Sequence, residues 1–206
     1  MPGFLITFEG IEGCGKSVQA KLLYEHLQSK GISSVLTREP GGSDISERIR
    51  EILLDRRHLD MVPYTELFLY LASRAQHTQE VIKPALAQGK TVICDRYIDA
   101  SLAYQGEGRS ISRALVNQLN KTATGGLMPN LTFLLDIEPE IALKRIERGD
   151  RLEIESMEFH NRVRSGYLKL YRENSDRIVL LDGTKSIKQI HNEIKDIFEA
   201  RMMKLE

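Results

Sequence analysis

The chain has 206 residues, enough for one substantial hydrophobic core, which favours a single domain over residues 1–206. Its 29 Lys and Arg residues balance 29 Asp and Glu residues, and this excludes a global basic field of the kind that attracts nucleic acid or acidic membranes. Any anionic ligand must therefore be held by a local group of residues.

Five short apolar runs alternate with segments of helical periodicity. The runs are Phe4–Phe8, Ile32–Leu36, Thr91–Cys94, Leu131–Asp136 and Ile178–Leu181. Because these runs are almost continuously apolar, they indicate strands that are buried on both faces. We therefore predict an α/β fold in three layers, with a five-stranded parallel sheet flanked by helices.

Two helical segments between these runs have recognisable ends. Helices are predicted over Ser17–Lys30 and Tyr64–Gln88. Gly31 and Gly89 follow them, at the position where a left-handed residue commonly ends a helix. Pro84 is expected to kink the second helix, because proline cannot donate a backbone hydrogen bond.

The carboxyl-terminal third contains a charged segment and a final helix. Glu147–Glu155 is densely charged and lacks periodicity, so we predict a small mobile lid at about residues 145–156. A last helix is predicted over Ser186–Met203, with an apolar stripe from Ile187 to Phe198 that is typical of core packing.

Cysteine content and hydropathy predict the compartment. Cys14 and Cys94 are too few for a disulfide framework, and no segment approaches the roughly 20 apolar residues of a membrane span. The amino terminus carries no cleavage signature. We expect a soluble, cytoplasmic protein without nucleic-acid or membrane partners.

Residues 10–17, Gly-Ile-Glu-Gly-Cys-Gly-Lys-Ser, match the pattern G-x-x-x-x-G-K-[ST] between a predicted strand and a predicted helix. The glycines let backbone N–H groups surround phosphate oxygens, and the helix amino terminus adds partial positive charge. Lys16 would contact the β- and γ-phosphates, and the Ser17 hydroxyl would ligate Mg²⁺. This P-loop predicts a site for a nucleoside triphosphate with Mg²⁺.

Two variable positions of the P-loop carry further expectations. The carboxylate of Glu12 would repel a triphosphate, so we expect a cation or a donor to pair with it. Cys14 lies near a helix amino terminus and beside Lys16, conditions that lower the pKa of a thiol. We therefore expect alkylation of Cys14 to inactivate the protein and ATP to protect it.

Two other classes of P-loop protein fit poorly. Asn120–Ala123 reads Asn-Lys-Thr-Ala and lacks the aspartate with which GTPases read guanine. The third strand ends in Asp95-Arg96-Tyr97 rather than the Asp-Glu of motor and AAA-type ATPases. An aspartate followed by an arginine suits a site where a metal ion and a second anionic substrate meet.

Four further motifs lie beside the P-loop in a fixed order. They are Phe8-Glu9-Gly10, Thr37-Arg38-Glu39-Pro40-Gly41-Gly42, Asp95-Arg96-Tyr97 and Ala103-Tyr104-Gln105-Gly106. Together they resemble the thymidylate kinase family over essentially the whole chain. The resemblance implies the P-loop NTPase fold, ATP and Mg²⁺ as donor and cofactor, thymidine monophosphate as acceptor, and a homodimer formed by helices.

The resemblance also implies roles for individual residues. ATP binding is implied for Gly10, Ile11, Glu12, Gly13, Cys14, Gly15, Lys16, Ser17 and Arg145. Acceptor binding, within about residues 38–106 and at Glu9, is implied for Glu9, Arg38, Pro40, Tyr70, Arg74, Arg96, Ser101, Tyr104 and Gln105. Catalytic roles are implied for Glu12, Lys16, Arg96 and Arg151, and metal binding for Ser17 and Asp95.

The nucleoside would be read from two helices. Tyr70 and Arg74 are four residues apart, so they emerge on one helix face, where Tyr70 would stack on the base and Arg74 would donate to a thymine carbonyl. Gln105 would pair with the thymine edge, and Tyr104 would exclude a ribose 2′-hydroxyl by its bulk.

With Gly13 at this position, the P-loop resembles that of the bacterial members of the family, in which a basic residue of the lid supplies the catalytic positive charge. Arg151 aligns best with that residue, and Arg148 remains the alternative. Two other functions stay open at this point. A deoxynucleoside kinase would need a carboxylate such as Glu9 or Glu39 as general base, and a nucleotide-binding regulator would bind ATP without turnover.

Overall fold

The computed structural model describes residues 3–147 and 149–203. Five parallel strands form one sheet in the order β2-β3-β1-β4-β5. They are β1 (Phe4–Glu9), β2 (Ser34–Arg38), β3 (Thr91–Asp95), β4 (Leu131–Asp136) and β5 (Ile178–Asp182). All five predicted strands are confirmed, with ends that differ by at most two residues. The burial expected on both faces is wrong for β2, which lies at the edge of the sheet and has no buried residue.

The register brings the functional ends of three strands together. Phe8 of β1 and Arg38 of β2 both pair with Asp95 of β3. Because the strands are parallel, Glu9, Arg38 and Asp95 end at the same edge of the sheet, where open α/β sheets bind their ligands.

Helices cover the sheet. They are α1 (Lys16–Ser29), α2 (Asp44–Leu54), α3 (Pro63–His77), α4 (Lys83–Ala87), α5 (Ile98–Ser101), α6 (Arg113–Thr124), α7 (Pro139–Leu143), α8 (Met157–Glu173) and α9 (Ile187–Met202). Two π-helical segments, Thr78–Ile82 and Leu102–Gly108, continue α3 and α5. No described helix is long and apolar enough to cross a membrane.

The predicted helix ends are confirmed. Gly31 and Gly89 both have a φ of +72°, and each follows the C-cap residue of its helix, Lys30 after α1 and Gln88 after α4. The irregularity expected at Pro84 is a π-helical turn on its amino-terminal side, in which the N–H of Lys83 donates to the carbonyl of Thr78.

The last helix begins with a capping box, in which Ser186 and Gln189 each accept from the other's backbone N–H. Ile190, Ile194 and Phe198 are buried in the core as predicted. Ile187 is 58% exposed, so the prediction of core packing is wrong there. It is the first residue of the helix and lies at the end of the apolar stripe.

The predicted lid segment packs against the end of α2. The backbone N–H of Arg151 donates to the carbonyl of Leu54 (3.3 Å), and Nε of Arg56 donates to the carbonyl of Gly149. Leu152 is buried. Arg148, the alternative lid arginine, lies outside the described residues.

Candidate active site

A cavity of 320 Å³ opens at the carboxyl edge of the sheet, between the P-loop, the end of β2, α3, α5 and the lid segment. Twelve of the predicted residues line this cleft: Glu12, Gly13, Lys16, Ser17, Arg38, Pro40, Tyr70, Asp95, Arg96, Ser101, Tyr104 and Gln105. The other predicted residues do not: Glu9, Gly10, Ile11, Cys14, Gly15, Arg74, Arg145 and Arg151. The volume is at the small end of the range for ligand pockets.

The P-loop positions Lys16 at the floor of the cleft. Lys16 is only 8% exposed, and its Nζ donates to the carbonyl of Ile11 at 3.2 Å. Gly13 has a φ of +71°, and a Cβ at this position would lie 2.1 Å from the carbonyl oxygen of Ala142. The loop therefore has no room for a side chain at position 13.

Two oxygen donors meet beside Lys16. The Ser17 hydroxyl donates to Oδ2 of Asp95, and the buried Oδ1 of Asp95 has no hydrogen-bond partner among the described residues. No group of three or more His, Cys, Asp or Glu in 3–147 and 149–203 could hold a metal by itself. Ser17 and Asp95 thus fit a cation that takes its other ligands from phosphate and water, as Mg²⁺ does.

Arg96 occupies the centre of the cleft in a strained backbone conformation. Its φ of +71° is rare for a residue other than glycine, and such conformations concentrate at functional sites. Nη2 donates to Oε1 of Glu12 at 2.8 Å, and Nη1 donates to the carbonyl of Gly10 at 3.0 Å. The guanidinium also lies 4.9 Å from the centre of the Tyr104 ring.

The pairing expected for Glu12 is confirmed, and Arg96 is the partner. The Tyr104 hydroxyl lies 2.6 Å from both carboxylate oxygens and donates to them. Burial alone would raise the pKa of Glu12, but the charges of Arg96 and Lys16 outweigh burial, so the pKa is lowered. Glu12 is therefore an ionised carboxylate that forms an ion pair with Arg96 in the cleft.

Arg74 lies behind the cleft wall. Its Nε donates to Glu39 at 2.7 Å, and its Nη1 donates to the Ser101 hydroxyl at 2.7 Å and to Oδ1 of Asn120 at 2.6 Å. Its Nη2 donates to the carbonyl of Tyr97. The side chain is 1% exposed, so Arg74 reaches the cleft through Ser101 rather than directly.

A second buried network centres on Glu66, which sequence reasoning missed. Glu66 accepts from Gln105 at 2.9 Å and from Arg109, and it forms an ion pair of 2.7 Å with Arg151. Burial opposes ionisation, but the bonds and charge of Arg109, with Gln105 and Arg151, hold the pKa of Glu66 below its usual value. The Arg151 side chain is 2% exposed and does not face the cleft.

Arg38 and Arg50 also line the cleft. Arg38 is exposed, and its Nη2 donates to both carboxylate oxygens of Glu47 at 2.9 and 3.0 Å. Arg50 of α2 donates to the carbonyl of Pro40 at 2.8 Å. The sequence analysis missed Arg50, because only the packing of α2 against α3 brings it to the cleft. It also missed Leu54 and Ala100, and it gave no binding role to Glu39 or to Asp150, Leu152 and Glu153 of the predicted lid, which line the cleft as well.

Tyr70 and Glu9 differ in their access to the cleft. Tyr70 is half-buried and lines the cavity, and burial raises the pKa of its hydroxyl. Glu9 is fully buried, where it accepts from the backbone of Tyr97 and from the Tyr167 hydroxyl. Burial, with a smaller contribution from Asp99, raises the pKa of Glu9 to about 8.

The lowered pKa expected for the Cys14 thiol is wrong. The thiol is 1% exposed, and burial raises its pKa in spite of the nearby charge of Lys16. Proximity to a helix amino terminus is outweighed here by the loss of water around the sulfur.

The sequence model of the family described as "Thymidylate kinase" matches residues 8–194. The chain belongs to the thymidylate kinase family. It is 47% identical to the thymidylate kinase of Geotalea uraniireducens, over 97% of this chain and 98% of that protein. It is 48% identical to the thymidylate kinase of Caldanaerobacter subterraneus, over 93% of this chain and 92% of that one. The crystal structure of thymidylate kinase from Ehrlichia chaffeensis has a TM-score of 0.81 with this fold and 35% identity, and the match covers 97% and 99% of the two chains.

Membership confirms the resemblance, the P-loop NTPase fold and the class of enzyme, a nucleoside monophosphate kinase. Neither a deoxynucleoside kinase nor a non-catalytic regulator receives support from these relatives.

Arg145 lies on the outer side of the P-loop, where its Nη1 donates to the carbonyls of Gly13 (3.4 Å) and Gly183 (3.3 Å).

Proposed function

We propose that this chain transfers the γ-phosphoryl group of ATP to thymidine monophosphate in the 320 Å³ cleft. One observation carries the proposal. The cleft joins a complete P-loop to an acceptor side that carries Arg38, Arg50 and Arg96. Two phosphate groups that must react in line need cations at both ends, and this arrangement supplies them.

At the donor end, the backbone of residues 10–15 would surround the phosphates of ATP, and Lys16 would neutralise the group in transfer. Ser17 and Asp95 would hold Mg²⁺, whose charge would shield the β- and γ-phosphate oxygens when it is bound. Arg145 would contact the adenosine portion from outside the loop.

At the acceptor end, Arg38 and Arg96 would hold the phosphate of thymidine monophosphate. Tyr70 would stack on the base, and Gln105 would hydrogen-bond the thymine edge. The walls of the nucleoside pocket would be formed by Pro40, Ser101 and Tyr104. Glu9 and Arg74 would support these walls from behind. Ser101 supports this view, because Arg74 holds its hydroxyl from behind at 2.7 Å.

No general base is required for the transfer. A monophosphate oxygen is already anionic at neutral pH, so the site needs only to align the two phosphates and to stabilise spreading charge. Arg96 and Lys16 are the cations best placed for this. The catalytic role expected of Arg151 would require its buried ion pair with Glu66 to open first.

A coupled assay tests the proposal with ATP, Mg²⁺ and four acceptors: thymidine monophosphate, thymidine, adenosine monophosphate and cytidine monophosphate. We expect product only with thymidine monophosphate. Lys16→Ala should lower turnover strongly, whereas its matched control Lys21→Ala should not, because the Lys21 side chain is 70% exposed on the same helix. Phosphorylation of thymidine without phosphorylation of its monophosphate would contradict the proposal.

We also propose that a second copy of the chain covers the outer face of α2 and α3. Six large apolar side chains on and between these helices are 45–66% exposed: Ile45, Ile52, Leu59, Val62, Tyr64 and Phe68. Contiguous exposed apolar surface of this kind marks an interaction site. Phe68→Glu should convert a dimer to a monomer in light scattering, whereas Met128→Glu, on another exposed face, should not. A wild-type monomer at high concentration would contradict the homodimer.

Cys14 and Cys94 are both unpaired and buried, which supports a reducing compartment, and we propose the cytoplasm. Fractionation of cells that produce the full chain tests this, with its appearance outside the cytoplasm as the contrary result.

A further inference from the structure

A buried histidine directly below the P-loop has no hydrogen-bond partner. His160 lies in the second turn of α8 and is 0% exposed, and neither ring nitrogen is hydrogen-bonded among the described residues. Buried polar groups are nearly always paired, so an unpaired imidazole calls for an explanation. Its Nδ1 lies 3.8 Å from Oε2 of Glu12.

Glu12 is held in this structure by other partners. Arg96 donates to its Oε1 at 2.8 Å, and the Tyr104 hydroxyl donates to both oxygens at 2.6 Å. The Arg96 guanidinium also donates to the carbonyl of Gly10 and to the Tyr167 hydroxyl. Its Nη atoms are therefore engaged before any acceptor arrives.

A phosphate that reaches Arg96 must compete with Glu12. A carboxylate and a phosphate on the same edge of one guanidinium repel each other at this distance. Glu12 would then keep the Tyr104 hydroxyl but would lose its charged donor. Shortening the 3.8 Å separation from Nδ1 of His160 by about 0.9 Å would make an ordinary hydrogen bond.

We propose that His160 is a positioning residue that takes over the Glu12 carboxylate when the acceptor phosphate binds Arg96. In the unliganded protein Glu12 neutralises Arg96, and in the complex the Nδ1–H of His160 donates to Glu12 instead. The exchange frees the guanidinium for phosphate and replaces the donor that the buried carboxylate loses. This inference rests on the proposed function, because it needs a phosphate at Arg96.

Three variants at one position separate this role from plain packing. His160→Phe keeps the ring and its volume but removes both nitrogens. His160→Asn places an amide N–H near the position of Nδ1, whereas His160→Gln places it near Nε2, which is not the ring nitrogen in contact with Glu12.

The measurements are calorimetric affinities for thymidine monophosphate and thymidine, with the melting temperature of the unliganded protein. For His160→Phe we expect about 10-fold weaker binding of the monophosphate, equal to about 1.4 kcal/mol, and unchanged binding of thymidine. The unliganded variant should melt at the same or a higher temperature, since an unpaired polar group is gone. His160→Asn should restore most of the affinity, and His160→Gln should not.

The exchange is overturned if His160→Phe binds the monophosphate as tightly as the wild type, or if Asn and Gln at position 160 behave alike. A lower melting temperature with equal losses for both ligands would also overturn it, because that result marks a packing residue. These failures differ from failure of the proposed function, in which the wild-type protein itself would not bind thymidine monophosphate.

Discussion

The proposed donor and acceptor ends of the cleft are built in different ways. The proposed donor end is one continuous segment, residues 10–17, in which the backbone would provide most of the binding groups. The acceptor end combines side chains from β2, α2, α3 and the segment after β3, among them Arg38, Arg50, Tyr70 and Arg96. The geometry of a contiguous loop is determined by neighbouring residues in the sequence. A wall made of side chains from several elements depends on the buried hydrogen-bond and ion-pair networks that hold those elements together.

Those networks are ionic and almost completely buried. Arg74 with Glu39 supports the wall at Ser101, and Glu66 supports it at Gln105. Removing one member of such a pair leaves an uncompensated charge in the interior. We therefore expect acceptor-side changes to affect stability and donor-side changes to affect turnover. The following predictions test this difference.

The largest effect is expected on stability at Arg74. Arg74→Ala should lower the free energy of unfolding by about 3–5 kcal/mol, since it leaves the buried Glu39 carboxylate without its closest cation. Urea denaturation measures the change. Arg48→Ala is the control, because that side chain is 79% exposed. Unchanged stability with a raised KM for the acceptor would make Arg74 a base-reading residue instead.

At the donor end, Lys16→Ala should lower kcat by about 100- to 1,000-fold, the usual loss when a preorganised donor to a developing charge is removed. The melting temperature should stay close to that of the wild type. Steady-state kinetics beside Lys21→Ala measure the effect. A kcat near that of the wild type would contradict the role of Lys16.

A variant of Arg151 tests whether this lid residue takes part in phosphoryl transfer or stabilises the cleft wall through Glu66. Arg151→Ala should lower the free energy of unfolding by about 1–3 kcal/mol, a smaller loss than at Arg74 because Arg109 still pairs with Glu66. Urea denaturation and kinetics on one preparation separate the effects, with the exposed Arg172→Ala as control. A fall in kcat at unchanged stability would assign Arg151 to the reaction.

Ser17 tests the proposed metal site. Ser17→Ala should raise the Mg²⁺ concentration for half-maximal activity by at least about 10-fold, because a ligand to the ion is lost. Magnesium titrations at saturating ATP measure this, beside Ser29→Ala at the other end of α1. An unchanged magnesium dependence would remove Ser17 from the site.

The smallest effect is expected at Cys14. Its raised pKa and burial leave little thiolate at pH 8, so iodoacetamide should label it far more slowly in the folded than in the urea-unfolded protein. Mass spectrometry of the labelled peptide measures the ratio. Rapid labelling of the folded protein, blocked by ATP, would restore the original expectation.

The sequence by itself determined that the chain forms a five-stranded parallel sheet and that residues 10–17 form a P-loop. Strands in the interior of the sheet leave a continuous apolar run, and residues 10–17 carry the P-loop pattern in the fixed spacing of Gly10, Gly15, Lys16 and Ser17, so both signals are local. The need for a partner at Glu12 also followed from the sequence, because a carboxylate cannot face phosphate alone.

Only the tertiary structure decided which charges face the cleft. Arg74 and Arg151 have the same side chain as Arg38 and Arg96, yet buried carboxylates hold the first two behind the wall. Arg50 and Glu66 carry no local signal, and the thiol of Cys14 is controlled by burial rather than by its neighbours in sequence. Desolvation and ion pairing depend on residues 35 to 85 positions apart, as in the pairs of Arg74 with Glu39 and of Arg151 with Glu66, so only the folded chain brings these groups together.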